Sequence, residues 1–268
     1  MNYNKNQLLK ERNRRLSLRS TRKFKSTNKI WNDLKLNQSW SIGYLTTLFK
    51  KQNFINIADW EIFSYKSGEE RLMKINKLPL HKQNLLKRIT FVPNMKEMSY
   101  LTKQEISLNK YYGRTEAELI EIGKYMHKEI CKRGNPLSIR LDECINFVKI
   151  RVIDEISMGI ERELNTIKEL ERIFPNLRFK QVPVEIDSKY AIDCEVYNQN
   201  DRILALQIKS NAYKMNNSDI LNDTKNFNEE KNANYKSKYG VDVLYVYSEI
   251  NGNILNTEIF DLINNLYQ

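Results

Sequence analysis

The sequence predicts a mixed α/β protein, with a central mixed sheet flanked by helices in its C-terminal half and a mainly helical N-terminal region. Three observations carry this. Ile153, Ile156, Ile160, Leu164, Ile167 and Leu170 recur at helical spacing. The stretch 190–210, YAIDCEVYNQNDRILALQIKS, alternates apolar and polar residues as two half-buried strands do, with NQND supplying the turn. Residues 241–248, VDVLYVYS, read as a further strand.

Along the chain, residues 1–30 form a basic arm. They hold ten Lys or Arg against Glu11 alone, so the arm carries +9 of the chain's net +11. Arg12, Arg14, Arg15, Arg19, Arg22, Lys23 and Lys25 suit a segment that tracks a phosphate backbone, or a solvated tail that only aids solubility. Residues 31–136 read as a mainly helical recognition region, with apolar clusters at 40–49, 55–63 and 119–130 broken by Ser67-Gly68, Pro79 and Pro93. Within it, Thr115 and Glu118 form a capping-box pattern after Tyr112-Gly113-Arg114. Arg114 either reaches a guanine edge or a phosphate, or simply covers the cap or pairs with Glu118. Gly134-Asn135-Pro136 places a boundary, so 137–268 is the expected core: a helix over 150–174, an apolar stretch over 177–184, the two alternating strands, a polar helix over 223–239, and the last strand.

The alternation in the two strands groups their polar residues. Ile192, Cys194 and Val196 point to one face and leave Asp193 and Glu195 on the other; Leu204, Leu206 and Ile208 are likewise opposed to Gln207 and Lys209. Such a cluster suits phosphodiester hydrolysis. Asp193 holds a divalent cation that lowers the pKa of bound water, Lys209 orients that water and offsets charge on the phosphorane, and Gln207 ligates through its amide oxygen. Because Gln207 brings no charge, Glu195 is the expected second carboxylate of the metal site.

Asp193, thirteen intervening residues and then Gln207-Ile208-Lys209 after an apolar run resemble the PD-(D/E)XK nuclease superfamily in its Q-x-K variant. The helix that precedes the strands has Gly159-Ile-Glu-Arg-Glu163, similar to that superfamily's G-x-x-x-E pattern, which implies a catalytic role for Glu163. The departures are the missing Pro before Asp193 and the neutral Gln207. The order helix, three strands, helix, strand over roughly the last 120 residues implies a PD-(D/E)XK-type core. Together with Tyr-Gly-Arg-Thr115, the pattern resembles type II restriction endonucleases of the MjaI group. That resemblance implies a Mg2+-dependent cut in double-stranded DNA at a short palindrome, CTAG for that group, and a homodimer to match the two-fold site.

Composition bounds the alternatives. With 268 residues and 41% hydrophobic content, the chain can bury a substantial core. No apolar run reaches membrane-spanning length and the basic N-terminus lacks a signal's apolar core, so no membrane partner and a cytoplasmic location are expected. Cys131, Cys144 and Cys194 lack disulfide or zinc spacing, and two histidines, His81 and His127, argue against histidine chemistry. A structure-specific repair nuclease or junction resolvase, and a non-catalytic DNA-binding protein on a degenerate nuclease fold, remain as alternative readings.

Overall fold

The computed structural model describes residues 3–43, 48, 49, 54, 57–89, 99–215 and 219–267. Pro93, residues 44–47 of the predicted cluster at 40–49 and residues 55 and 56 of that at 55–63 lie outside the described residues. The chain divides into two compact units, 1–157 and 158–268.

The first unit is helical: α1 (Lys5–Arg19), α2 (Arg22–Ser26), α3 (Asn28–Asp33), α4 (Ser39–Ile42), α5 (Ile57–Ile75), α6 (Leu80–Leu86), α7 (Lys103–Tyr111), α8 (Glu116–Lys132) and α9 (Leu141–Lys149). A π-helical turn, Ile150–Asp154, leads from α9 into α10 (Glu155–Ile173). The basic arm is therefore three helices with tertiary contacts, and its apolar residues explain why. Phe24, Ile30 and Trp31 enter the core with Trp60, Leu119, Met126 and Phe147, and Phe24 meets Phe147 edge-on at 5.4 Å between centroids.

The division falls between Ser157 and Met158, not near Gly134-Asn-Pro136. That triplet turns the chain between α8 and α9, with Gly134 at φ +85° and Asn135 bonded through its side chain to Ile139. The two helices pack so closely that a Cβ on Gly123 would stand 2.7 Å from Ile145 Cα. Glycine and proline mark a chain reversal, and this one lies inside a packed helical hairpin.

The second unit holds most of α10, then β1 (Leu177–Gln181), α11 (Val184–Tyr190), β2 (Cys194–Asn198), β3 (Asp201–Lys209), α12 (Asn211–Met215), α13 (Asp219–Tyr239), β4 (Val243–Tyr247) and α14 (Glu258–Tyr267). The sheet order is β1-β2-β3-β4. β1, β2 and β3 pair antiparallel, whereas β4 lies parallel to β3, a pairing that needs a crossover and obtains it from α13. The expected stretch 177–184 splits. Its last sheet bond is donated by Val182 to the Asp193 carbonyl, and Pro183, with no N–H to continue the ladder, precedes α11.

One sheet face is apolar. Cys194, Val196, Leu204, Leu206, Ile208 and Val246 pack with Ile167 and Leu170 of α10, with Phe174 just beyond its end, and with Ile259 and Ile263 of α14. Among the described residues no helix is long and apolar enough to cross a membrane.

Candidate active site

The opposite sheet face, toward α13, carries the polar motif residues in layers beside a smaller apolar cluster, in which Ile192, expected on the Cys194 face, packs instead with Ala205 and Tyr235. The register pairs Glu195 with Ala205 across β2 and β3, and Gln207 with Tyr245 and Lys209 with Tyr247 across β3 and β4. Continued one residue beyond Cys194↔Leu206, it sets Asp193 opposite Gln207. The Asp193 amide donates to the Leu206 carbonyl at 2.8 Å, and its carboxylate Oδ2 accepts from the Ile208 amide at 2.7 Å. Lys209 Nζ stands 3.8 Å from the same Oδ2. Asp193 and Gln207 are buried, and Lys209 is the most open of the three, its side chain 27% exposed. The predicted trio is thus brought to one end of the strand pair.

Gln207 is held by residues that the sequence motif does not include. The Asn232 amide lies 3.1 Å from the Gln207 amide and 3.2 Å from the Tyr245 hydroxyl. It is best satisfied with its nitrogen turned to the carbonyls of Tyr190 and Ala191, at 2.8 and 3.3 Å, and its oxygen toward Tyr245 and Gln207.

Glu195 shares the face of Asp193 but lies one layer deeper, in a different environment. Tyr197 and Tyr235 donate to its two carboxylate oxygens at 2.7 and 2.6 Å, and Arg202 is 3.3 Å away. Burial, followed by the bond to Glu195, raises the Tyr235 pKa well above that of an ordinary phenol, so its proton stays in place. The carboxylate expected as the second acid of the metal site thus accepts one phenol hydrogen bond at each oxygen. Among the described residues, no three His, Cys, Asp or Glu converge as a metal cluster.

Glu163 stands part-buried on α10, one turn before Thr166. Thr166 shares a 2.7 Å hydrogen bond with the Ser248 hydroxyl, and the Ser248 amide donates to the Lys209 carbonyl. This path ties Glu163's turn of helix to the open end of β3.

The predicted DNA-contacting cations separate by burial. Arg14 and Arg22 are exposed, and exposed Arg19 pairs with Glu155 at 3.3 Å. Lys23 binds both Glu143 oxygens at 3.0 Å, and Arg12 is 3.3 Å from Asp154. Arg15 is 2% exposed; it grips Glu61 through both terminal nitrogens and Asp154 through Nε and one terminal nitrogen, so no phosphate reaches it. The predicted capping box forms, with Thr115 and Glu118 bonding reciprocally. Arg114 is likewise withdrawn from any base: it is 4% exposed and donates to the carbonyls of Tyr112, Gly113, Trp40 and Asn109. A Cβ on Gly113 would come within 2.4 Å of the Ser64 carbonyl, so the Tyr-Gly-Arg-Thr turn is pressed onto α5 with Arg114 as its fastening. Glu118 pairs with Arg71, at 2.7 Å.

The helix that covers this sheet face also carries residues the sequence reading missed. Lys225, Asn228, Asn232 and Tyr235 of α13 recur at three- and four-residue spacing, and they meet Tyr213, Gln207, Tyr245 and Glu195. The stripe is periodic but polar, and a search for apolar periodicity passes over it.

A family model for the MjaI restriction endonuclease matches residues 27–259. The chain belongs to this family. Family membership makes it a restriction endonuclease with DNA as substrate. No curated protein and no solved structure matches it.

Proposed function

We propose that the second unit is a PD-(D/E)XK-type core in its Q-x-K form. On this reading the protein is a type II restriction endonuclease that makes Mg2+-dependent double-strand breaks at a short palindrome, CTAG by the family resemblance, as a homodimer. The observation that carries this is the trio itself: Asp193 opposite Gln207 by register, with the Lys209 ammonium 3.8 Å from the Asp193 carboxylate.

The donors fit a hard, largely hydrated cation. Asp193 contributes one carboxylate at an open strand end. If Gln207 turns its NH2 toward the Asn232 oxygen, its own carbonyl oxygen is left for a metal. Mg2+ accepts one or two protein oxygens and keeps several waters, so a three-acid cluster is not required. When bound, such an ion supplies Lewis-acid polarisation of the phosphate and a more acidic water.

The chain's own residues do the rest. The Ile208 amide anchors Asp193 Oδ2 and fixes its rotamer. Lys209 places a positive charge where the pentavalent phosphorus gathers negative charge, and it orients the attacking water. Asn232, itself bonded to the Tyr245 hydroxyl, holds Gln207 against the strand, and Glu163, one turn before Thr166 on α10, is the remaining candidate carboxylate of the motif. Exposed Arg14, Arg19 and Arg22 remain the arm's candidates for phosphate contact.

Incubating the purified protein with a large plasmid and Mg2+, with and without chelator, and sequencing the fragment ends tests this. Discrete ends at one palindrome that vanish with chelator are expected. Cleavage confined to branched or nicked DNA assigns a structure-specific nuclease, and binding that leaves every strand intact assigns a non-catalytic DNA-binding protein.

A further inference from the structure

Beside Lys209 the polar sheet face ends in a run of stacked phenols. Tyr245 and Tyr247 of β4 stack at 6.1 Å and 15°, and Tyr213 of α12 stacks on Tyr245 at 6.1 Å and 19°. Asn228 donates to the Tyr213 hydroxyl at 3.1 Å and fixes the outer ring. Two ammonium groups lie over this ladder: Lys214 Nζ is 5.4 Å from the Tyr247 centroid, and Lys225 Nζ is 5.7 Å from that of Tyr213. Lys214 is exposed, and among the described residues no carboxylate lies within ion-pair distance of it. Because the register places Tyr247 beside Lys209, this cation stands next to the reacting end of the sheet.

We propose that the Tyr213–Tyr245–Tyr247 ladder, with Lys214 and Lys225, is a subsite for the DNA backbone phosphate adjoining the one that is cut. The ladder holds the two ammonium groups in place, and they position the strand for Lys209. This rests on the nuclease reading above, and the test separates the two.

Parent, Lys214→Ala, Lys214→Arg and a Lys214→Ala/Lys225→Ala double variant are compared on a duplex carrying CTAG. KM and kcat are measured with Mg2+, and the salt dependence of binding is measured with Ca2+ in its place. Lys214→Ala should raise KM about tenfold with kcat within about threefold, and lower the slope of log K against log salt by about one. Lys214→Arg should restore both, and the double variant should lose a second unit of slope. A parent that cleaves while Lys214→Ala keeps its KM and salt slope overturns the subsite and leaves the nuclease reading standing. A parent that binds the CTAG duplex without cutting it overturns the CTAG assignment, and overturns the nuclease reading if the plasmid also stays intact with Mg2+; in either case the salt slopes still decide the subsite. A parent that does not bind DNA overturns both.

Discussion

The two units handle positive charge in opposite ways. In the first, two of the arginines expected to contact DNA, Arg15 and Arg114, are turned inward, as is Arg71, while Arg14, Arg19 and Arg22 stay exposed. Arg15 lies between Glu61 and Asp154, Arg71 binds Asn109, Glu118 and the Leu86 carbonyl, and Arg114 binds four backbone carbonyls. In the second, Lys209 and Lys214 stand at the open end of a sheet whose polar face is otherwise buried under α13. The difference teaches that a net charge of +11 does not locate a nucleic-acid surface: a guanidinium has five donors, and when helices pack it is readily satisfied by their carbonyls and carboxylates. Only cations left facing solvent contribute to phosphate binding.

The largest effect expected from this contrast is at the sheet end. Lys209→Ala should lower the single-turnover cleavage rate by at least about 10²–10³-fold with DNA affinity almost intact. Asp193→Ala should be inactive, and Mn2+ should not rescue it. Quench-flow cleavage beside a binding isotherm checks both, and activity within a few-fold of the parent removes Lys209 from the mechanism.

Next in size is Arg15→Ala, which leaves Glu61 and Asp154 buried without their shared cation. Destabilisation of about 3–5 kcal/mol is expected in urea unfolding, against about 0.5 kcal/mol or less for exposed Arg14→Ala. The DNA effects should run the other way, with only Arg14→Ala weakening binding to all sequences alike. Arg114→Ala should cost about 1–3 kcal/mol through its stranded carbonyls, with no change in discrimination between the cognate site and one-base variants. A loss of discrimination at one base pair would return Arg114 to a reading role.

Glu195 tests the contrast within the second unit. With both oxygens taken by Tyr197 and Tyr235, Glu195→Gln should leave the Mg2+ midpoint of cleavage unchanged and lower the melting temperature. A raised Mg2+ requirement, partly relieved by Gln207→Glu, would show that the carboxylate reaches the metal after all.

The smallest effect is an acid-side one at the N-terminus of α9. Burial works against the charged form of Glu143, but the Arg140 amide and the Lys23 ammonium outweigh it and hold the carboxyl below its usual range. Its stabilising contribution is therefore complete above the unfolded value, about 4.3, and is lost as pH falls through the folded one. Unfolding followed from about pH 6 down to pH 3 should show a steeper loss in the parent than in Glu143→Gln, and coincident slopes would remove Glu143 from the acid response.

The strands show how far the sequence reaches. Alternation at Asp193–Val196 and Leu204–Lys209 placed Asp193, Gln207 and Lys209 on one face, and the pairing register brings them together. The helix expected over 150–174 forms, opened by a π-helical turn. The helix expected from Asp223 starts at Asp219 instead, and α11 forms between the apolar stretch and the first motif strand, where no element is expected, because seven residues span only two helical turns and leave little periodicity to detect.

The strand alternation, the motif spacing and the Thr115 cap are local, since each depends on neighbours within one or two turns of chain, and they are legible without the fold. Tertiary structure alone decided which charges are satisfied. Arg15 and Asp154 lie 139 residues apart and Glu195 and Tyr235 lie 40 apart, and no local pattern encodes such a meeting. A charged side chain has the same sequence signature whether it faces water or a buried partner, and the difference arises only when packing removes the water.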